Sequence, residues 1–204
     1  GVDIPAAGNY DTRSLSLGDV DGDGYLDLVE GNSSQADHLY LGDGVGGFAT
    51  GGPITADVHQ AWSLSLGDVD GDGDLDLIAG NASQVNRLYL WDATLNTNAG
   101  GFAAGVDITA DVHHTFSVSL GDVDSDGDLD LVVGNAHGGQ TNRLYLNESP
   151  FVATGQAAGQ VGIDDGSYGA AWGDYDGDGY QDLYVDRKST RLNSSHLVIS
   201  YAVF

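Results

Sequence analysis

Short runs of alternating apolar and polar residues, separated by clusters of Asp and Gly, fill most of the chain. In Trp62-Ser63-Leu64-Ser65-Leu66 and Phe116-Ser117-Val118-Ser119-Leu120 the apolar side chains fall on one side of an extended backbone, the pattern of a half-buried strand. After an Asp/Gly loop come Leu75-Asp76-Leu77-Ile78-Ala79-Gly80-Asn81 and Leu129-Asp130-Leu131-Val132-Val133-Gly134-Asn135, which read as second strands closed by a Gly-Asn turn. Third strands are expected at His38-Leu39-Tyr40-Leu41, Asn86-Arg87-Leu88-Tyr89-Leu90 and Asn142-Arg143-Leu144-Tyr145-Leu146. A fourth is expected at Gly101–Ile108, mirrored by Gly47-Phe48 and Pro53-Ile54.

These elements recur as a unit. Ser-Leu-Gly-Asp-Val-Asp begins at Ser16, Ser65 and Ser119, with a variant at Ala171, and the markers Asp19, Asp68, Asp122 and Asp174 are spaced by 49, 54 and 52 residues. Four short strands in about 50 residues describe one blade of a β-propeller. The expected fold is therefore all-β: four-stranded antiparallel blades, three of them complete, with partial blades at both ends. Gly1-Val2-Asp3-Ile4 repeats Gly105-Val106-Asp107-Ile108 and is expected to be the outer strand of a preceding blade. At the other end the pattern stops after Asp182-Leu183-Tyr184-Val185, so the chain reads as an open arc of a larger propeller. Residues 1–186 form this partial propeller. Residues 187–204 hold half of the 6 basic residues and resemble a translated sequencing-adapter tail, so they are set aside from functional reasoning. The alternative for them is a divergent closing strand over Leu197 to Phe204.

Composition narrows the function. With 31 acidic and 6 basic residues the formal charge is −25, which repels phosphate backbones and excludes nucleic acid as a partner. All the acidic residues but Glu30 and Glu148 are Asp, which with 32 Gly argues against helices. No apolar run is long enough to span a membrane, and the absence of cysteine leaves the redox compartment open.

The Asp residues are not scattered. Each unit carries Asp-x-Asp-x-Asp-Gly-x-x-Asp, at 19–27 (Asp19, Asp21, Asp23, Asp27), 68–76 (Asp68, Asp70, Asp72, Asp76), 122–130 (Asp122, Asp124, Asp126, Asp130) and 174–182 (Asp174, Asp176, Asp178, Asp182). Carboxylates 4 Å apart repel by about 1 kcal/mol per pair in water and about 4 at an effective dielectric of 20, so such loops oppose folding unless a cation joins them. Oxygen-only ligands select a hard ion, and a flexible set of carboxylates plus a carbonyl suits Ca²⁺ better than octahedral Mg²⁺. About four ions, one per loop, are expected. An EF-hand would need Glu at the twelfth position and flanking helices. Here the twelfth residues are Glu30, Ala79, Val133 and Val185, so the ninth-position Asp is taken to complete each shell and Glu30 to be an exposed strand residue. The seventh residue (Tyr25, Asp74, Asp128, Tyr180) is expected to ligate through its main-chain carbonyl.

This pattern resembles the calcium-binding FG-GAP or VCBS-type repeats of integrin α-subunit propellers and many bacterial extracellular proteins. The resemblance covers residues 1 to about 186 and rests on the four Asp loops, the Leu-rich second strands, Asn-Arg-Leu-Tyr-Leu and Gly-Gly-Phe. It implies that the metal loops join first to second strands on one face of the disc. The opposite face then holds residues 56–60, 110–114, 33–35, 83–84 and 137–140, with Trp62, Phe116 and Tyr168 nearby. Polar groups beside aromatics there suit a protein or carbohydrate ligand. Extracellular modules of this ligand class bind calcium with dissociation constants of roughly 10⁻⁴ to 10⁻³ M, which points to secretion or the cell surface. Two functions follow as expectations: a calcium-stabilised adhesion or interaction scaffold, or the propeller part of a secreted polysaccharide-active enzyme such as a lyase. No nucleophile-elbow, zinc-protease or phosphate-loop motif is present.

Overall fold

A computed structural model describes residues 4, 8–95, 100–136, 140–147, 167–173, 182–187 and 197–199. Its named elements are all strands. β1 (Thr12–Gly18), β2 (Asp27–Gln35), β3 (His38–Tyr40) and β4 (Gly52–Pro53) form an antiparallel meander. β5 (His59–Gly67), β6 (Asp76–Gln84), β7 (Arg87–Tyr89) and β8 (Val106–Asp107) repeat it. A third blade starts with β9 (His113–Gly121), β10 (Asp130–Asn135) and β11 (Arg143–Tyr145). β12 (Ser167–Gly173), β13 (Asp182–Arg187) and β14 (Leu197–Ile199) make a separate antiparallel sheet. The all-β, blade-type architecture read from the sequence is the one observed, and among the described residues the sheet does not close on itself. β14 takes the third-strand place beside β13, within the segment likened to an adapter tail. Of the expected leading strand only Ile4 is described.

Two features of the blades differ from the sequence reading. The second strand does not end at Gly-Asn. β2 and β6 run on to Gln35 and Gln84, and their last residues pair with the first strand of the next blade: Ser33 with Gln60, Gln35 with His59, Ala82 with His114, Gln84 with His113. Ser34 and Ser83, in the left-handed conformation at φ 62° and 59°, form bulges inside these strands, and the turn falls later, at Ala36-Asp37 and Val85-Asn86. The Asn residues serve this turn from inside the strand. Buried Asn32, Asn81 and Asn135 each donate their main-chain N–H to the side-chain Oδ1 of Asp37, Asn86 and Asn142 (2.8 to 2.9 Å), and their Nδ2 to the carbonyls of Ala36, Val85 and Thr141. Such pairing is what a buried turn needs. The expected fourth strand is also shorter. It contracts to the bridge Trp91–Phe102 and the two residues of β8, mirrored by the bridge Gly42–Phe48 and β4.

The core lies between blades rather than within one. Val20 and Val29 of blade 1 pack with Leu64, Leu77, Trp91 and Phe102 of blade 2. Val69 and Ile78 of blade 2 pack with Val118, Leu131, Val133 and Tyr145 of blade 3. Gly80 permits this approach: a Cβ there would sit 2.7 Å from Thr115 Cγ2 and Val118 Cγ1. The first strands are also joined by hydroxyls, Leu64 N–H donating to Ser14 Oγ (3.1 Å) and Val118 N–H to Ser63 Oγ (3.0 Å). The Ser residues of the alternating runs are thus rungs between blades.

Candidate metal centres

Each of the three described acidic loops connects the first two strands of its blade, and its backbone is folded by its own carboxylates. Gly24, Gly73 and Gly127 take positive φ (91°, 96° and 100°), the sharp turn expected of the sixth position. Their N–H groups donate to the first-position carboxylates Asp19, Asp68 and Asp122 at 3.0, 3.0 and 3.2 Å. The fifth-position carboxylates Asp23, Asp72 and Asp126 accept from the N–H of Tyr25, Asp74 and Asp128 at 2.9 to 3.0 Å.

The ninth-position Asp is the anchor. Asp27, Asp76 and Asp130 are buried at the start of the second strand, where each spans two backbone donors. Asp27 accepts from Val20 and Gly42 (both 2.8 Å), Asp76 from Val69 (3.0 Å) and Trp91 (2.9 Å), Asp130 from Val123 (2.7 Å) and Asn147 (2.9 Å). Asp27 Oδ2 also accepts the Asp21 N–H at 3.4 Å, while Asp27 Oδ1 and the carboxylate oxygens of Asp76 and Asp130 each accept one of these N–H groups and keep a second lone pair to coordinate. With the ninth residue held this way, three triads converge: Asp19, Asp21 and Asp27; Asp68, Asp70 and Asp76; Asp122, Asp124 and Asp130. Within each triad one oxygen per residue lies within 4.8 Å of the others.

Burial first, and the neighbouring carboxylates after it, raise several of these carboxyls. Burial, then the carboxylates of Asp70 and Asp72, push Asp76 up to about 6 against the pull of its two amide donors. Asp130 is raised for the same first reason, with Asp124 and Asp126 adding to it. Asp21 and Asp70 are also raised, first by burial and then by neighbouring loop carboxylates. Asp19 Oδ1 is buried and has no hydrogen-bond partner. An orphaned acceptor among repelling carboxylates fits a cation, and the all-oxygen donor set fits a hard one. These triads could hold a metal ion.

Placed against the sequence reading, the first, third and ninth positions come together in the three described loops. The fifth-position residues Asp23, Asp72 and Asp126 stand outside the triads, and one oxygen of each accepts the seventh-position N–H. Tyr25 turns its side chain to solvent. In the fourth loop Asp174, Asp176, Asp178 and Tyr180 lie outside the described residues, and Asp182 is described as the start of β13. Glu30 is not the exposed residue expected: it is half-buried and accepts from Tyr40 Oη (2.7 Å) and Thr12 Oγ1, inside the sheet of blade 1. Sequence reading missed the supporting donors Gly42, Trp91 and Asn147, although each follows the Leu-Tyr-Leu strand at one fixed place.

On the opposite side, much of the polar surface is already engaged. Gln35, Gln84 and Gln140 accept the N–H of Asp11, Gln60 and His114 at 2.8 to 3.1 Å, each at the start of the first strand of its own blade. Arg87 donates to Asp57 (2.9 Å), to Asp107 and to the Gly105 carbonyl (2.7 Å), clipping the incoming connection to the outer strand. Asp111 and Arg143 repeat the pair more loosely at 3.7 Å. His59 and His113 sit 3.9 Å from Asp57 and Asp111, and burial lowers both imidazoles. Along the first strands the Trp62 and Phe116 rings meet edge to face at 4.5 Å, with the Arg13 guanidinium 5.5 Å from the Trp62 ring centre. No helix among the described residues is long and apolar enough to cross a membrane.

The sequence matches the model of the FG-GAP-like repeat three times, over residues 19–79, 68–133 and 122–185. No curated protein matches it significantly. Among solved structures it is similar to an Agrocybe aegerita lectin, described for specific recognition of non-reducing terminal N-acetylglucosamine. That likeness has TM-score 0.58 and 18% identity, covering 88% of this chain and 48% of the lectin. It is similar also to BBS1N in a complex with ARL6DN (TM-score 0.57, 12% identity, 89% of this chain and 53% of that one). A third is the V. cholerae biofilm matrix protein Bap1 (TM-score 0.51, 15% identity, 90% and 31%). The chain thus spans about half or less of each of these structures, and at such identities the likeness speaks for the fold.

Proposed function

The chain belongs to the FG-GAP-like repeat family, its repeats running from residue 19 to 185, and from that premise we propose that it is a calcium-binding interaction scaffold of an extracellular protein. The observation that carries this reading is the thrice-repeated triad of first-, third- and ninth-position Asp, with the buried, unpartnered Asp19 Oδ1. Asp19, Asp21 and Asp27 would hold the first ion, Asp68, Asp70 and Asp76 the second, Asp122, Asp124 and Asp130 the third. The fourth motif, Asp174 to Asp182, would take a fourth. The ion supplies charge neutralisation, so the loops stop opposing the fold that the blades favour. Millimolar affinity of this class matches the calcium outside cells, which supports secretion or surface display. The aromatic and cationic row Arg13, Trp62 and Phe116, on the side away from the loops, supports a protein or carbohydrate ligand there. Glycan arrays are the screen suited to that surface.

Calcium at about ten to a hundred times its dissociation constant should stabilise the fold by roughly 1 to 3 kcal/mol per site. The melting temperature should therefore rise clearly between chelator and about 10 mM calcium, which is about ten to a hundred times that dissociation constant. In isothermal titration, Asp70→Ala should lose one site and Asp74→Ala should keep all of them. A melting temperature indifferent to calcium would refute the reading.

A further inference from the structure

Asn147 ties the second acidic loop to the third. It follows β11, is buried, and gives its main-chain N–H to Asp130 of its own loop, as Gly42 and Trp91 do for Asp27 and Asp76. The side chains at this place differ. Gly42 has none, and Trp91 turns its indole edge-on to Phe102. Asn147 instead sends its Nδ2 across the blade boundary to the carbonyl of Val69 at 2.8 Å, with Leu129 as a longer second acceptor at 3.4 Å. Its Oδ1 is buried without a partner, so what the residue contributes here is the donor.

Val69 stands between Asp68 and Asp70 and is itself buried, its N–H donating to Asp76 Oδ2. Three hydrogen bonds therefore connect Asp76 to Val69, Val69 to Asn147 and Asn147 to Asp130. The carbonyl that Asn147 holds belongs to the peptide unit whose other end is the N–H of Asp70. Fixing Asp130 fixes the Asn147 main chain, and the Asn147 amide then fixes the Val69–Asp70 peptide between two members of the second triad.

We propose that Asn147 is a positioning residue that makes the second and third cation sites a coupled pair, each raising the affinity of the other. The coupling rests on the calcium reading above, and linkage requires it to be reciprocal. Between blades 1 and 2 the residue at this place is Trp91, which meets Phe102 edge to face in the cluster that also holds Val20, so among the described residues the bridge through a side-chain amide belongs to one boundary only.

The test uses the full chain, calcium alone, and the Val69 amide resonance as a reporter of the second loop during titration. Asp130→Asn, which disables the third triad, should raise the calcium midpoint seen at Val69 by roughly fivefold or more. In an Asn147→Ala background the same substitution should leave that midpoint where it is. In calcium-free buffer, Asn147→Ala should also speed hydrogen exchange at Val69. If Asp130→Asn leaves the Val69 midpoint unmoved, or moves it equally in both backgrounds, the coupling is refuted while calcium binding stands. A Val69 resonance that ignores calcium in the unaltered protein overturns the calcium reading and the coupling with it. Asn147→Leu, similar in volume but without the donor, replaces Asn147→Ala should the smaller residue prevent folding.

Discussion

Blades 1 and 2 open with nearly the same inner strand, Ser14-Leu15-Ser16-Leu17-Gly18-Asp19 and Ser63-Leu64-Ser65-Leu66-Gly67-Asp68, yet Leu15 is 57% exposed and Leu64 8%. Leu17 and Leu26 are 57% and 60% exposed, while their counterparts Leu66 and Leu75 are half-buried. The covering atoms explain the difference. Leu64 lies over Gly31, and Leu66 and Leu75 lie over Gly18, all in the blade before. Alternation along a strand decides which side its apolar residues share. Burial of that side is decided by the neighbouring blade, so these leucines are covered only where a blade precedes theirs, while the valines behind them pack against the blade that follows.

The two blades should differ most at their paired leucines. Leu64→Ala removes a side chain from a cluster that includes Val29, Leu77 and Trp91, and should cost about 2 to 5 kcal/mol. Leu15→Ala, the same change on an uncovered side, should stay within about 0.5 kcal/mol. Urea unfolding of the two variants in constant calcium checks this. Similar losses in both would mean that the leading side of blade 1 is covered as well.

This difference also marks what the sequence could tell. Strand order within a unit, the Asp loops and the convergence of the ninth-position Asp on the first and third were readable, because each is a local signal: a period of two, a turn composition, a fixed spacing of carboxylates. Contacts across the blade boundary were not. The Gly-Asn pair reads as a turn from its own chemistry, but Gly31 and Gly80 are small to admit the next blade, and Asn32 and Asn81 serve a turn further on. Likewise Ser14 and Ser63 look like the polar half of an alternating strand. Only their partners, residues 50 and 55 positions away, show them to be rungs. The one hint available was repetition itself: Ser, Gly and Gln recur at the same places in each unit where any polar or small residue would have satisfied the local pattern.

A second contrast between the blades is chemical. Asp37 stands where blades 2 and 3 have Asn86 and Asn142, and all three accept the N–H of the buried Asn before them. Burial first, and Glu30 beside it, raise the Asp37 carboxyl to about 6, although the Asn32 N–H pulls the other way. In the unfolded chain it titrates near its ordinary value of about 3.9. A raised carboxyl favours the protonated fold, so its contribution is greatest below about pH 4 and is lost as the pH rises through about 6. Asn carries no such dependence. Asp37→Asn should therefore match the parent protein below about pH 4, gain on it through pH 4 to 6, and be more stable by roughly 2 to 3 kcal/mol above that. Unfolding curves at several pH values would decide it, and a loss at pH 7.5 would show that the carboxylate has a partner the Asn cannot replace.

The smallest expected effect sharpens the boundary itself. Gly80 is covered by Thr115 and Val118, two β-branched side chains with little freedom to turn away. The extra methyl of Gly80→Ala must push the blades apart or force a rotamer, at a cost near the lower end of the roughly 1 to 3 kcal/mol usual for overpacking. Gly173 ends the first strand of the fourth sheet at the place of Gly18, Gly67 and Gly121, each of which lies under a side chain of the following blade. Among the described residues nothing lies within 4 Å of a Cβ at Gly173. Gly173→Ala should accordingly be neutral or slightly stabilising, since alanine lowers the entropy of the unfolded chain. Thermal unfolding of the two variants separates the cases. A Gly173→Ala change as costly as Gly80→Ala would place a further blade against β12, and the contrast between covered and uncovered faces would then end at blade 1.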